Sequence, residues 1–318
     1  MSGAVGSWTD AVTIGELEAF AKSVMPAAVF DYVASGAGDE ITLRENVAAF
    51  ERRRLIPRMC VEGELDLGTT VLGHQVSMPI GIAPTALHGL VTTDGEIATV
   101  AGASAADALY CASSSSSVEI DRIAHGARNG AWWYQYYPGS GREGAQRAAD
   151  LGYGAMVVTV DVPTHGYRDR EIRAARSHPE DERYRTMWPY TQRGPGVSAL
   201  AEGTRVTWSD LETLIRDIPV PAVVKGVLSP DDAVRAADLG AEAIWVSNHG
   251  GRQLDRVPAT LDVLAGIASA VGDRAEVYVD GGIRRGTDVV MALGLGARAV
   301  FVGRPVLWGS ARSSSSLS

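Results

Sequence analysis

Eight short apolar runs recur along this chain with room for one helix between most neighbours, and that alternation limits what it can fold into. The runs are 79–83, 108–112, 131–136, 155–160, 222–225, 243–246, 276–279 and 299–302. Each is too short for a helix and too apolar for a surface loop, so each reads as a buried strand. Between them, 94–106, 118–127, 142–151, 209–217, 230–239, 258–270 and 287–295 carry helical periodicity. Ser209, the pair Ser229-Pro230 and Thr287 supply helix-start signals for three of these. Strands alternating with helices require a parallel sheet. Eight of them predict closure into a (β/α)8 barrel, the TIM barrel, whose chemistry sits at the C-terminal ends of its strands. An open Rossmann sheet is the runner-up, but no G-x-G-x-x-G follows the first strand.

One domain is expected over 1–318: a helical extension over 1–75, the barrel over 76–308 and a serine-rich tail over 309–318. In the extension, Thr13 and Glu16 have capping-box spacing and open a helix running toward Ala21. A second helix covers 26–32 and ends near Gly36 and Gly38. The connection from Asp161 to Ala222 is far longer than a strand-to-strand link needs, and its middle, 173–202, is charged and rich in Pro and Gly. Segments of that kind are functional lids or disordered. Ser113 to Ser117 reads either as a strand-to-helix loop or as a low-complexity linker. After Trp308 too little chain follows for an eighth outer helix of normal length, so the last outer helix is expected to be missing.

Composition sets the class. Of 318 residues 46% are hydrophobic and 21% charged, as in a globular enzyme. The net charge of -9 argues against a nucleic-acid partner. No apolar run approaches the ~18 residues of a membrane span, and residues 1–10 lack a secretory pattern, so a cytoplasmic protein with no membrane partner is expected. Cys60 and Cys111 are the only cysteines, which favours a reducing compartment and excludes a zinc site built on thiolates; no metal is expected. Lysine is as rare as cysteine. Only Lys22 and Lys225 occur among 29 basic residues, and Lys225 lies in an apolar strand. Either it reaches out to water or it meets a specific anion.

Reactive residues gather at the strand ends. The third strand ends in Gln135, Tyr136 and Tyr137, and the fourth in Thr159 and Asp161, with Arg168 beyond. Lys225 marks the fifth, Ser247, His249 and Arg252 the sixth, Asp280, Gly281, Gly282 and Arg284 the seventh, and Gly303 and Arg304 the eighth. Glycine-rich turns with an arginine after strands seven and eight match the usual phosphate site of this fold. A phosphate-bearing flavin held there can lie across the mouth. Its reduced form is anionic, and Lys225 at about 4 Å and an effective dielectric near 20 would attract it by ~4 kcal/mol. Arg168 and Arg252 then suit a substrate carboxylate. His249 is left as a base and Asp161 as its orienting partner. The plainer readings are a polar turn for His249, a helix cap for Asp161 and a surface ion pair for Arg168.

These residues resemble the FMN-dependent 2-hydroxy acid oxidases and dehydrogenases. The likeness is carried by 31–37, 83–86, 224–227, 247–255 and 280–286, in order, and spans nearly the whole chain. It implies that Tyr32, Arg168 and Arg252 hold the substrate carboxylate and that Tyr137 bonds near its hydroxyl. It implies that His249 is the base, Asp161 its partner, and that Lys225 contacts the flavin. Ala83, Pro84, Thr85, Gln135, Thr159 and Ser247 are implied to line the flavin ring or ribityl chain. Asp280, Gly282, Arg284, Gly303 and Arg304 would surround ribityl and phosphate. The implied reaction takes an (S)-2-hydroxy acid to the 2-oxo acid. Hydride passes from C2 to the flavin while His249 takes the hydroxyl proton, or a carbanion route uses the same residues. Electrons then go to oxygen or another acceptor, and homo-oligomers, tetramers or octamers, are implied.

Two departures mark this chain. Cys111 stands where many relatives carry a flavin-contacting serine. Ser113 stands where glycolate oxidase has a bulky aromatic, which points to a roomier pocket and a medium-sized substrate, aryl (mandelate-like) included. The alternative from another class is a truncated, non-catalytic flavin-binding or assembly subunit of the same fold.

Overall fold

The computed structural model describes residues 7–127, 132–138, 143–177 and 206–311. Ahead of the barrel come α1 (Ile14–Val24), α2 (Ala27–Ala34) and α3 (Ile41–Glu51), then a hairpin of β1 (Thr69–Val71) and β2 (His74–Val76). Eight strands follow: β3 (Ile80–Ile82), β4 (Tyr110–Ser113), β5 (Trp132–Tyr136), β6 (Met156–Thr159), β7 (Ala222–Val227), β8 (Ala243–Val246), β9 (Glu276–Asp280) and β10 (Ala299–Val302). They form a closed parallel barrel, sealed where Val300 of β10 pairs with Ile80 of β3. The predicted TIM barrel is therefore the fold, with each strand within a few residues of its expected place.

Around the barrel run α4 (Glu96–Ala105), α5 (Ile120–Gly126), α6 (Glu143–Asp150), α7 (Asp169–Ser177), α8 (Trp208–Asp217), α9 (Pro230–Asp238), α10 (Thr260–Val271), α11 (Gly286–Gly294) and α12 (Arg304–Ser310). Thr13 and Ser229 cap α1 and α9 as their spacing predicts. Two expected caps move. Helix α8 starts under Thr207 rather than Ser209, because Thr207 with Asp210 closes a capping box. Helix α11 starts after Arg285 rather than at Thr287, because the Asp288 carboxylate accepts the backbone N–H groups of Arg284 and Arg285 at 2.8 and 2.9 Å. Helices α3, α7 and the hairpin have no counterpart in the sequence reading. Of the expected lid over 173–202, only 173–177 are among the described residues, as the end of α7. The serine tail lies outside them from 312 onward. The serine run is a strand-to-helix loop: Ser113 ends β4, and Ser117 binds the buried Glu96 carboxylate.

Two cores result. Outside the strands, the helices bury an aliphatic shell. Inside, Trp133, Trp245, Tyr278 and Phe301 fill the barrel, each at most 1% exposed. Trp245 and Phe301 lie with ring centroids 4.0 Å apart, and Val71 and Val76 of the hairpin pack onto the same cluster. Phe301 fits only because Gly81 faces it; a β-carbon there would collide with the ring. The plug is a packed floor. After β10 the chain makes the short α12, and its Leu307 and Trp308 bury against Ala21, Val29 and Phe30 of α1 and α2. Among the described residues no helix is long and apolar enough to cross a membrane.

Candidate active site

Above the aromatic floor the strand ends enclose one cavity. Tyr32, Ala83, Pro84, Thr85, Tyr137, Arg168, Lys225, His249, Arg252, Asp280, Gly282, Arg284, Gly303 and Arg304 all line it. Gln135, Thr159, Asp161 and Ser247 stand against residues that do: Gln135 against Ser113, Thr159 and Ser247 against Lys225, and Asp161 against His249. Each lies in or just past a strand whose neighbours do. The site residues read from the sequence thus converge.

His249 stands where the chain leaves β8 through three successive left-handed residues, His249 at φ 57, Gly250 at 63 and Gly251 at 74. For a histidine this is strained by about 1–2 kcal/mol. The turn is held by Asn248, whose amide pairs with that of Asn46 of α3 at 2.9 and 2.8 Å and accepts from Gly251 N–H. Asp161 Oδ1 lies 3.0 Å from His249 Nδ1. Burial pushes the imidazole below its ordinary value and outweighs the pull of Asp161. Burial alone would raise the Asp161 carboxyl, but His249 beside it brings it below the usual carboxylate range. The pair is a neutral imidazole next to a carboxylate, the state a proton acceptor requires.

Lys225 is 4% exposed and does meet an anion, one the sequence reading did not pair with it: Asp280, at 3.4 Å. Ser247 Oγ accepts from Lys225 Nζ at 3.0 Å and donates to Asp280 at 2.7 Å, and Trp245 Nε1 donates to the same carboxylate at 3.1 Å. Burial disfavours the ammonium, but Asp280 and Asp161 hold its pKa above the ordinary lysine value. Asp280 thus serves inward as a counter-ion. Gly282 turns its β-carbon position toward α3, where a side chain would strike the backbone of Asn46, so α3 demands this glycine.

Arg168 and Arg252 line the same cavity. Arg252 packs on the Tyr32 ring, 5.2 Å from its centroid, and donates to the carbonyls of Tyr32 and Ser35 at 2.7 and 2.9 Å. Burial and nearby Asp161 push the Tyr137 phenol upward, so it stays a hydrogen-bond donor. Three further polar side chains of the lining were not assigned roles from sequence: His165, Ser115 and Gln253. Burial, then Arg168, draws His165 down to about 4. Glu171, just behind the wall, was missed as well, although its spacing of three from Arg168 is a helical pairing signal.

The family model for FMN-dependent dehydrogenases matches residues 21–315. The chain belongs to that family. An L-lactate oxidase of Nostoc sp. is 42% identical over 94% of this chain and 87% of its own length. The human 2-hydroxyacid oxidase 1 is 41% identical over 94% and 86%. A crystal structure of mandelate oxidase with (S)-4-hydroxymandelic acid superposes with a TM-score of 0.86 at 37% identity, covering 96% of this chain and 90% of that one. As a member of the FMN-dependent dehydrogenases the protein is an oxidoreductase with FMN as cofactor.

The cavity fits FMN by its own chemistry. Gln135 Nε2 and Thr159 Oγ1 are buried with no hydrogen-bond partner among the described residues, and a flavin ring edge or ribityl hydroxyl is the kind of group that satisfies them. Arg304 is enclosed near Arg252 and Arg284, and burial plus those like charges draw its guanidinium down to about 9. A phosphate dianion relieves that penalty. Around the cavity, Arg168, Lys225 and Arg252 have Asp161, Glu171 and Asp280 as counter-charges, while Glu18 acts on Arg284 and Arg304 and Asp288 on Arg284.

Proposed function

We propose that this protein oxidises an (S)-2-hydroxy acid to the 2-oxo acid. The observation that carries this is the convergence of His249, held neutral, with Arg168 and Arg252 in one cavity. Bound FMN supplies the two-electron acceptor for the hydrogen at C2. The protein's residues do the rest. Arg168, Arg252 and Tyr32 grip the carboxylate, and Tyr137 donates to the substrate near its hydroxyl. His249 Nε2 takes the hydroxyl proton as the C2 hydrogen departs with its electron pair. Asp161 accepts from Nδ1, fixes the tautomer and stabilises the imidazolium that forms. Lys225, charged and buried, offsets negative charge developing on the cofactor. Ala83, Pro84, Thr85, Gln135, Thr159 and Ser247 support the flavin, and Asp280, Gly282, Arg284, Gly303 and Arg304 surround its ribityl phosphate.

Two finer points belong to the same reading. Ser113 and Ser115 give the cavity small side chains in its lining, which favours an aryl or other medium-sized side chain on the substrate; the likeness to mandelate oxidase supports it. Oxygen is the electron acceptor in this reading, since the most similar relatives named above are called oxidases. Assembly into a homo-oligomer accords with the exposure of Ile56, Met59, Val61 and Leu65, at 93, 80, 72 and 86%.

The test is anaerobic mixing of the yellow holoprotein with lactate, mandelate and a long-chain 2-hydroxy acid, followed by air. Bleaching by the (S)-acids and recovery in air are expected, strongest for mandelate. A flavin that stays oxidised with every 2-hydroxy acid would reject the reading.

A further inference from the structure

The two guanidinium groups assigned to the substrate carboxylate already share a carboxylate of the protein. Glu171, in the first turn of α7, is 6% exposed. Arg168 Nη1 lies 3.3 Å from both of its oxygens, and Arg252 Nη2 lies 3.3 Å from Oε1. Ser35, at the C-terminal end of α2, donates its hydroxyl to the same Oε1. Burial opposes a charge on Glu171, but Arg168 and Arg252 hold its carboxyl below the usual range, so it stays anionic.

The donor inventory of the two arginines shows what this carboxylate does. Arg252 directs Nη1 to the carbonyls of Tyr32 and Ser35 and Nη2 to Glu171. Arg168 directs Nη1 to Glu171 and Nε to the carbonyl of Arg252, at 3.4 Å. Among the described residues, Nε of Arg252 and Nη2 of Arg168 donate to nothing. One N–H-bearing nitrogen per guanidinium is thereby left over, and both side chains line the cavity. Two like charges this close separate unless an anion holds them. The anion that does so is Glu171, which touches both arginines and does not line the cavity.

We propose that Glu171 is a positioning residue: it clamps Arg168 and Arg252 at a fixed spacing and engages their rear donors, so that the remaining pair meets a substrate carboxylate together. The assignment of that ligand rests on the proposed function. A glutamine here keeps the shape and loses the clamp. Its carbonyl oxygen can accept from one guanidinium, but its NH2 group faces the donors of the other.

The experiment uses FMN-loaded protein and two readouts, flavin reduction by the best 2-hydroxy acid and binding of 2-hydroxyisobutyrate, which lacks the C2 hydrogen, followed by the flavin spectrum. Glu171→Gln is expected to weaken binding of the analogue by about tenfold, the loss of one charge-assisted hydrogen bond. KM should rise in parallel, with FMN content unchanged. Ser35→Ala, which leaves the charge but removes one partner of Glu171, should weaken binding about threefold, and it decides the matter if Glu171→Gln does not fold. Binding within about twofold of wild type in the variant that folds would overturn the proposal. Tighter binding in Glu171→Gln would overturn it too, making Glu171 a competitor of the ligand. If the analogue binds wild-type protein but no 2-hydroxy acid reduces it, the proposed activity fails while the binding comparison still judges Glu171. If the analogue binds neither protein, the clamp has no ligand and the proposal falls.

Discussion

The floor of the barrel and its mouth lie one residue layer apart and are stabilised by different means. On the floor, Trp133, Trp245, Tyr278 and Phe301 pack ring against ring with exposures of at most 1%, and burial of apolar surface accounts for their stability. At the mouth, Lys225, Asp280, Asp161, His249, Arg168 and Glu171 are held at low exposure by charge-assisted bonds, each useful only while its partner is present. Trp245 belongs to both: its ring lies on Phe301 and its N–H holds Asp280. The rigid layer fixes the geometry of the reactive one.

Substitutions that separate the two layers test this contrast, and the largest expected effect is on rate. His249→Gln should slow flavin reduction by about 10²- to 10⁴-fold, the usual contribution of a positioned base, while leaving FMN bound and the unfolding midpoint unchanged; retained turnover would remove His249 as the base. Phe301→Ala should do the reverse. A loss of about 3–5 kcal/mol in urea unfolding is expected, with the flavin still reducible in the fraction that folds. If rate collapsed and stability held, the floor would be part of the chemistry.

Asp161→Asn is a finer probe. It should lower the rate about 10- to 100-fold by removing the charge that stabilises the imidazolium. Asp161 is the group that raises the His249 pKa. Its removal should therefore shift the acid limb of kcat/KM to lower pH, and a shift to higher pH would refute the pairing. The smallest effect concerns stability. His249 titrates below its ordinary value in the folded chain, so as pH falls through the unfolded value near 6.5 the unfolded state takes up the proton first. Stability should decline from there downward, and in His249→Gln that part of the slope should flatten.

Much of the fold was legible because strand and helix periods differ and the apolar runs are short. The site was legible where a reactive residue sits at a strand end, as with Lys225, His249 and Arg304. Other features are set by distant pairings that no local pattern shows. Asp280 resembled a phosphate-side residue, and its pairing with Lys225 was not legible, because β7 and β9 meet only through β8 between them. Gly282 read as part of a phosphate turn, and the second demand on it, the close approach of α3, was not legible. The caps at Thr207 and Asp288 were displaced by one turn or less, since several polar residues compete at each helix start. The aromatic floor could not be read from four scattered residues on four strands. Glu171 was visible only as one more acid in a charged run.

The carbonyls of Tyr32, Val33 and Ser35 receive N–H groups from Arg252 and Arg304. Helix α2 therefore works as a bracket that aims residues arriving more than two hundred positions later in the chain. Shuffling that segment for another would not trade one accessory piece for a second; it would leave two enclosed cations pointing nowhere. The leading helices and the closing strand have to be inherited together.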